Sequence, residues 1–222
     1  MAWSSFATAA PQPVEKRATP ELSLTAQLRL ADTAVDRFKL LPDDKDFVFD
    51  FTKAEAGLAN AKSFPALVGT GASLILAPLE PCSMVLVHLH PRAAEVQAVI
   101  SGHIYTEMVP EAGVVDAEGN QRVIRNELGP NMMTIFYQGS FHTQVNMDCE
   151  PATLATFFAS EDMGAGLVAN QIFALKNDTI SRTFGETIAG EDIERVRDAL
   201  PKGAVAKVDQ CLAKCGIKKR EA

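Results

Sequence analysis

The chain has 222 residues, 47% of them hydrophobic, and a formal net charge of −7. That length supports one well-buried domain with helical additions and argues against a second. The acidic balance argues against nucleic acid or an anionic membrane surface as a partner, and no apolar run is long enough to cross a bilayer, so a soluble protein is expected.

Residues 1–19 are rich in Ala, Pro, Ser and Thr and read as a leader or pro-segment remnant. Ala7-Thr8-Ala9 resembles a signal-peptidase site and Lys16-Arg17 a dibasic processing site, so secretion is expected, with a mature start near Ala18. Leu24, Leu28, Ala31, Val35 and Phe38 recur at helical spacing, which predicts an amphipathic helix ending near Leu41-Pro42. Phe47–Phe51 then opens a β-rich stretch, and residues 46–160 form the expected barrel core.

Within that core, short β-prone segments alternate with Gly, Pro and Asn turns: Ser73–Ala77, Met84–Leu89, Glu95–Ile100, His103–Val109, Arg122–Arg125, Met133–Tyr137, Thr143–Met147 and Thr153–Ala159. Many short, evenly spaced strands predict an all-β domain, a closed barrel or two-sheet jelly roll. Glu111–Asn120 reads as an exposed loop. Helical patterns return over Leu167–Leu175, Asp192–Leu200 and Ala204–Lys214, so helices are expected within 165–215, followed by a basic tail at 217–222. Asn177-Asp178-Thr179 is a lone N-glycosylation sequon, short enough to arise by chance.

Three of the four histidines fall into one constellation. In a strand, His88 and His90 project to one side, and the turn at Pro91-Arg92 lets Glu95 come back beside them. With His142 they make a candidate site for a first-row divalent metal with open positions. Arg92, in the turn, reads as a solvated or ion-paired surface residue.

The four cysteines fit an oxidising compartment and allow three pairings. Cys82 precedes the His-x-His strand and Cys149 follows the His142 strand, which favours Cys82–Cys149 and Cys211–Cys215, with a Cys-x3-Cys metal site as the alternative for the second pair. In a barrel, strand alternation places Gln97 and Val99 inward with Glu95, and Gln144 and Asn146 inward with His142. It also puts Met84 and Leu86 on the face of His88 and His90, so that the cavity is lined by apolar groups and neutral amides.

The segment from His88 to Gly102 is similar to the first cupin motif, and Gly139–Asn146 to the second. The chain most resembles germin-like proteins, and among those the fungal spherulin-like branch, over roughly residues 20–216. Phe47–Phe51, Phe64–Gly69, Pro81-Cys82, His90–Ala93, Cys149–Ala152 and Cys211–Gly216 also carry the likeness. The resemblance implies a secreted single-domain cupin jelly-roll β-barrel with an N-terminal helix and C-terminal helices. It further implies Mn(II) held by His88, His90, Glu95 and His142, homo-oligomers, and activities that include superoxide dismutase and oxalate oxidase, some members having none.

Two departures matter. The family usually carries an Asn three residues before the first His, where this chain has Val85, which disfavours oxalate chemistry; it also usually has Pro where this chain has Tyr137. Gln144, Asn146 and Tyr137 are the candidate residues supporting the site. Zinc is the alternative metal and would exclude redox chemistry. Superoxide dismutation is therefore the leading expectation and oxalate oxidation the second. A non-enzymatic protein of the cell wall or host surface is the competing class.

Overall fold

The computed structural model describes residues 21–218, so the expected leader, Lys16-Arg17 and most of the basic tail lie outside the described residues. Two short helices come first, α1 (Leu24–Leu30) and α2 (Ala34–Lys39), where the apolar repeat predicts one. The chain turns extended at Ala31 and restarts where the Thr33 hydroxyl accepts the Asp36 amide at 3.2 Å. Asp and Thr bond backbone at helix starts better than they sustain helix interiors, which splits the element. Phe47–Phe51 forms no strand. Short 3-10 turns over Asp44–Phe47 and Phe51–Lys53 replace it, with Asp43 and Asp50 side chains taking up nearby amides. Phe49 packs against Phe51 and Phe64.

Nine strands then build the barrel: β1 (Leu58–Ala59), β2 (Ser73–Leu79), β3 (Ser83–Leu89), β4 (Glu95–Ser101), β5 (Ile104–Val109), β6 (Ile124–Leu128), β7 (Met133–Phe136), β8 (Phe141–Asn146) and β9 (Ala152–Phe158). Two further short strands, β10 (Gly166–Leu167) and β11 (Val205–Lys207), come from the C-terminal part. One antiparallel sheet runs β1-β2-β9-β4-β7 and the other β10-β3-β8-β5-β6, with β11 sharing the outer edge of β3. The inner faces meet in a core of Leu79, Val99, Ile104, Leu128, Ala152 and Leu154, onto which Val85 packs. Gly102 turns β4 into β5 at φ +79°, where a Cβ would sit 2.7 Å from the Ala152 Cα, so only glycine fits the closure.

Alternation along β4 is regular and turns Glu95, Gln97 and Val99 inward. Along β3 it is not. Val85 pairs with Gln144 and His88 with His142, so β3 carries one more residue than β8 over this interval, a bulge at Leu86-Val87. The bulge shifts the parity. Val85, rather than the expected Met84 and Leu86, lines the cavity together with His88 and His90.

The C-terminal part folds as α3 (Val168–Phe173), α4 (Asn177–Thr183), α5 (Glu191–Ala199), β11 and α6 (Asp209–Cys215), with a satellite core of Phe173, Ile180 and Ile193. The helical pattern over Ala204–Lys214 is thus half strand. Val205, Ala206 and Lys207 pair with Val85, Met84 and Ser83, because an open sheet edge satisfies their backbone groups before α6 begins. The sequon side chain of Asn177 is engaged, donating to Glu194 at 3.0 Å and accepting from Arg197 at 2.9 Å.

The expected cystine pairing is overturned. The bonds are Cys82–Cys211 and Cys149–Cys215. Cys82 and Cys149 are neighbours, the Cys82 amide donating to the Asp148 carbonyl, but both sulfurs reach outward to α6. Residues one turn apart on a helix hold their Cβ atoms roughly 5–6 Å apart, beyond the ~3.8 Å of a disulfide, so Cys211 and Cys215 each bond across to the barrel instead. All four sulfurs are used in this way, which leaves no Cys-x3-Cys metal site.

Candidate metal centre

Three strands and one tight turn bring His88, His90, Glu95 and His142 together. Their ligating atoms all lie within 4.8 Å of one another and all four residues are buried. β3 supplies His88 and leads into His90, β4 opens on Glu95, and β8 carries His142 opposite His88. Arg92 points away from the group, ion-paired with Asp162 at 2.9 Å and bonded to its carbonyl, which pins the turn between them.

Each imidazole is anchored through its Nδ1. His88 donates to the Leu86 carbonyl at 2.8 Å, His142 to the Ser140 carbonyl at 2.9 Å, and His90 to the Gly164 carbonyl. A carbonyl only accepts, so Nδ1 carries the proton and Nε2 is turned into the site. The β3 bulge contributes directly, because it places the Leu86 carbonyl under the His88 ring. Aromatic neighbours fix the planes. Phe136 stacks on His142 with centroids 4.3 Å apart, and Phe158 meets His90 edge-on at 4.7 Å.

Glu95 Oε2 lies 2.9 Å from His90 Nε2 and 3.0 Å from His142 Nε2. Both ring nitrogens of these two histidines therefore face acceptors, whereas a neutral imidazole has a single N–H. Two neutral imidazoles and a bare carboxylate do not satisfy these contacts; extra protons on the rings or the carboxyl do, and so does one cation held among the Nε2 atoms and the carboxylate. The donor set fits the second solution: three neutral imidazoles and one carboxylate compensate a divalent ion while leaving a net positive site. Without a cation, burial would raise the Glu95 carboxyl, but hydrogen bonds from His142 and His90 with their Nε2 atoms protonated draw it down to about 2. Burial lowers His88 to about 4, and the neighbouring His142 adds to the effect.

Of the three residues expected beside the site, Gln144 is the one in contact with it. Its Nε2 donates to Glu95 Oε1 at 2.8 Å, which fixes the carboxylate's orientation. Asn146 serves the fold instead, donating to the carbonyls of Leu79 and Glu150, each at 2.9 Å, and accepting the Asp148 amide. Tyr137 is 62% exposed on the outer surface, where its carbonyl takes the Ser140 hydroxyl in the turn before β8.

His88, His90 and Glu95 line one end of a cavity of about 380 Å³. The walls include Ile75, Ala77, Leu79, Val85, Leu154 and Phe158, with Gln97, Gln144 and Thr156 as polar members and neither Lys nor Arg. Met163, Leu167, Ala204 and Val205, from the C-terminal part, also form the wall. No sequence signal assigned them there: Leu167, Ala204 and Val205 arrive with β10 and β11 on the edge of β3, and Met163 packs on Ala93 and Phe158.

A sequence model of the cupin family matches residues 42–190, and the chain belongs to that family. Spherulin-1A of Physarum polycephalum is 33% identical over 213 residues, covering 90% of this chain and 81% of that protein. Germin-like protein 12-2 of Oryza sativa subsp. japonica is 28% identical over 162 residues, covering 69% of each. These matches place the chain in the germin-like, spherulin-related branch. Among solved structures, oxalate oxidase in complex with the substrate analogue glycolate superposes with a TM-score of 0.60 at 16% identity, covering 72% of this chain and 83% of that one, a likeness of fold.

Proposed function

We propose that this cupin is a secreted, germin-like manganese protein in which His88, His90, Glu95 and His142 hold one Mn(II), and that it dismutates superoxide. One observation carries the reading: both ring nitrogens of His90 and His142 are turned to acceptors, an arrangement that a cation between Nε2 and Glu95 Oε2 resolves. A redox-active divalent ion supplies reversible one-electron transfer. The chain's own residues aim the Nε2 lone pairs through the Nδ1 anchors and hold the carboxylate through Gln144. The net positive charge of such a site attracts a small anion.

Oxalate oxidation is the weaker reading. A dianion in this cavity meets no cationic side chain, and Val85 offers it no hydrogen bond. Two disulfides support an oxidising, extracellular setting. Assembly with copies of itself is supported by the row Ile135, Val96, Phe157 and Leu74, which crosses four strands on the outer face of one sheet.

The test is dismutase activity of the manganese-loaded protein in chelator-treated buffer. Activity that follows bound manganese and disappears in His88→Ala is expected. Activity that follows free manganese, or persists in His88→Ala, overturns the reading and leaves a non-enzymatic wall or host-surface role. Peroxide formed from oxalate by the native protein would reverse the order of the two reactions, whereas turnover gained only in Val85→Asn supports the part assigned to Val85.

A further inference from the structure

The two cystines lie against each other, away from the histidine–glutamate group. Cys82 and Cys211 are fully buried, Cys215 is half-buried and Cys149 is exposed, so one bond is sealed while the other reaches solvent. Across the pair, Cys215 Sγ is 3.6 Å from Cys82 Sγ and 3.9 Å from Cys211 Sγ, touching distance for two sulfurs. Helix α6 imposes this closeness. Cys211 and Cys215 sit on successive turns of one helix face, and each bonds across to the barrel. Leu212, Val208 and Ile217 pack around the same sulfurs, so apolar contacts keep this end of α6 in place when one bond opens.

We infer that the two cystines form one exchange-coupled site for a dithiol, with Cys149 as the sulfur attacked and Cys215 as the relay to the buried bond. A thiolate of the dithiol bonds to Cys149 Sγ, and Cys215 leaves as a thiolate. The second thiol of the reagent then displaces Cys149, so the reagent departs as a disulfide and has supplied two electrons. Cys215 Sγ next attacks Cys82 Sγ. The Cys82–Cys215 bond forms, the Cys82–Cys211 bond breaks, and Cys211 leaves as a thiolate and takes up a proton; this exchange consumes no electrons. In the intact protein Cys215 stands beside the buried bond rather than in line with it, so the freed side chain turns about its Cα–Cβ bond to attack. Cys82 is the sulfur it takes, because one helix holds Cys211 and Cys215 too far apart at Cβ for a direct bond. The thiol left on Cys211 has the Asp148 carbonyl as an acceptor 3.9 Å away. After exchange α6 is tied to the barrel by one bond instead of two, directly after β11, whose Val205 forms part of the cavity wall.

Brief treatment of the full chain with dithiothreitol at neutral pH, quenched in acid, trapped with N-ethylmaleimide and mapped by peptides, tests this. Partly reduced chains should carry label on Cys149 and Cys211 together, with Cys82 joined to Cys215. Cys149→Ser frees Cys215 without a reductant, and the same Cys82–Cys215 bond should appear beside Cys82–Cys211 in that variant. In Cys215→Ser the buried bond should survive dithiothreitol at least about tenfold longer than in the native chain, because attack from within the molecule is lost. Absence of the Cys82–Cys215 bond from the native chain and from Cys149→Ser overturns the relay, as does an equal lifetime of the buried bond in Cys215→Ser. Should the variants not fold, the label pattern of the native chain decides: label on Cys149 and Cys215 alone, with Cys82–Cys211 intact, overturns it.

Discussion

At the scale of single residues, the histidine–glutamate group was readable because its signal is local. His88 and His90 are separated by one residue, and Glu95 follows after a turn, so strand parity alone brings them together. Gln144 was readable as inward-facing, but its bond to Glu95 depends on how two strands meet. Strand parity did not place Val85 in the wall, since a bulge two residues later resets it and no residue type announces that; only the family resemblance pointed to the position. Replacing Gln144 with Met keeps the bulk and frees the carboxylate, so metal affinity should fall about 10–100-fold in a competition titration while the fold is kept. In the metal-free protein His88, depressed by burial, sets an acid limit. The unfolded chain binds a proton at His88 near the ordinary 6.5, and the folded chain refuses it down to about 4. Stability should therefore fall as pH drops through that window, by roughly 1.4 kcal/mol per pH unit and about 3 kcal/mol in all. The stabilisation from the depressed Glu95 carboxyl is lost further down, from about 4.5 toward 2. Urea denaturation across pH 4–7 measures the first effect, and a flat profile would contradict the buried, neutral state of His88.

At the scale of elements, the strands of the barrel were legible from their even spacing and turn residues. The edges were not. The break between α1 and α2, the strand β11 and the cystine pairing all depend on what an element docks against, and apolar periodicity does not report that. Cys82 and Cys149 do sit side by side as their positions at two strand ends implied, yet α6 lies across both and takes one sulfur each. Peptide mapping of the unreduced protein should recover Cys82–Cys211 and Cys149–Cys215. Replacing both Cys149 and Cys215 with Ser should lower stability by about 2–4 kcal/mol with metal content retained, because the bond closes a long loop away from the site. Recovery of Cys211–Cys215 would contradict the placement of α6.

At the scale of the whole molecule, one sheet presents an apolar row to solvent while the opposite, inner faces hold the core and the histidine–glutamate group. Met133 is 68% and Phe157 49% exposed on that outer face, and such an apolar strip suits contact with a second copy. Sedimentation should show an assembly of the native chain, and Ile135→Glu should shift it toward the monomer with the metal content unchanged; a native protein that sediments as a monomer at micromolar concentration would contradict the assembly. The molecule is otherwise organised around one claim, that four buried side chains hold one redox-active ion. Metal analysis of the natively produced protein tests it most directly, alongside His142→Ala prepared in the same way. About one manganese per native chain, lost from His142→Ala, is the result the account predicts. Full occupancy by zinc, or manganese retained when His142 is gone, would contradict it.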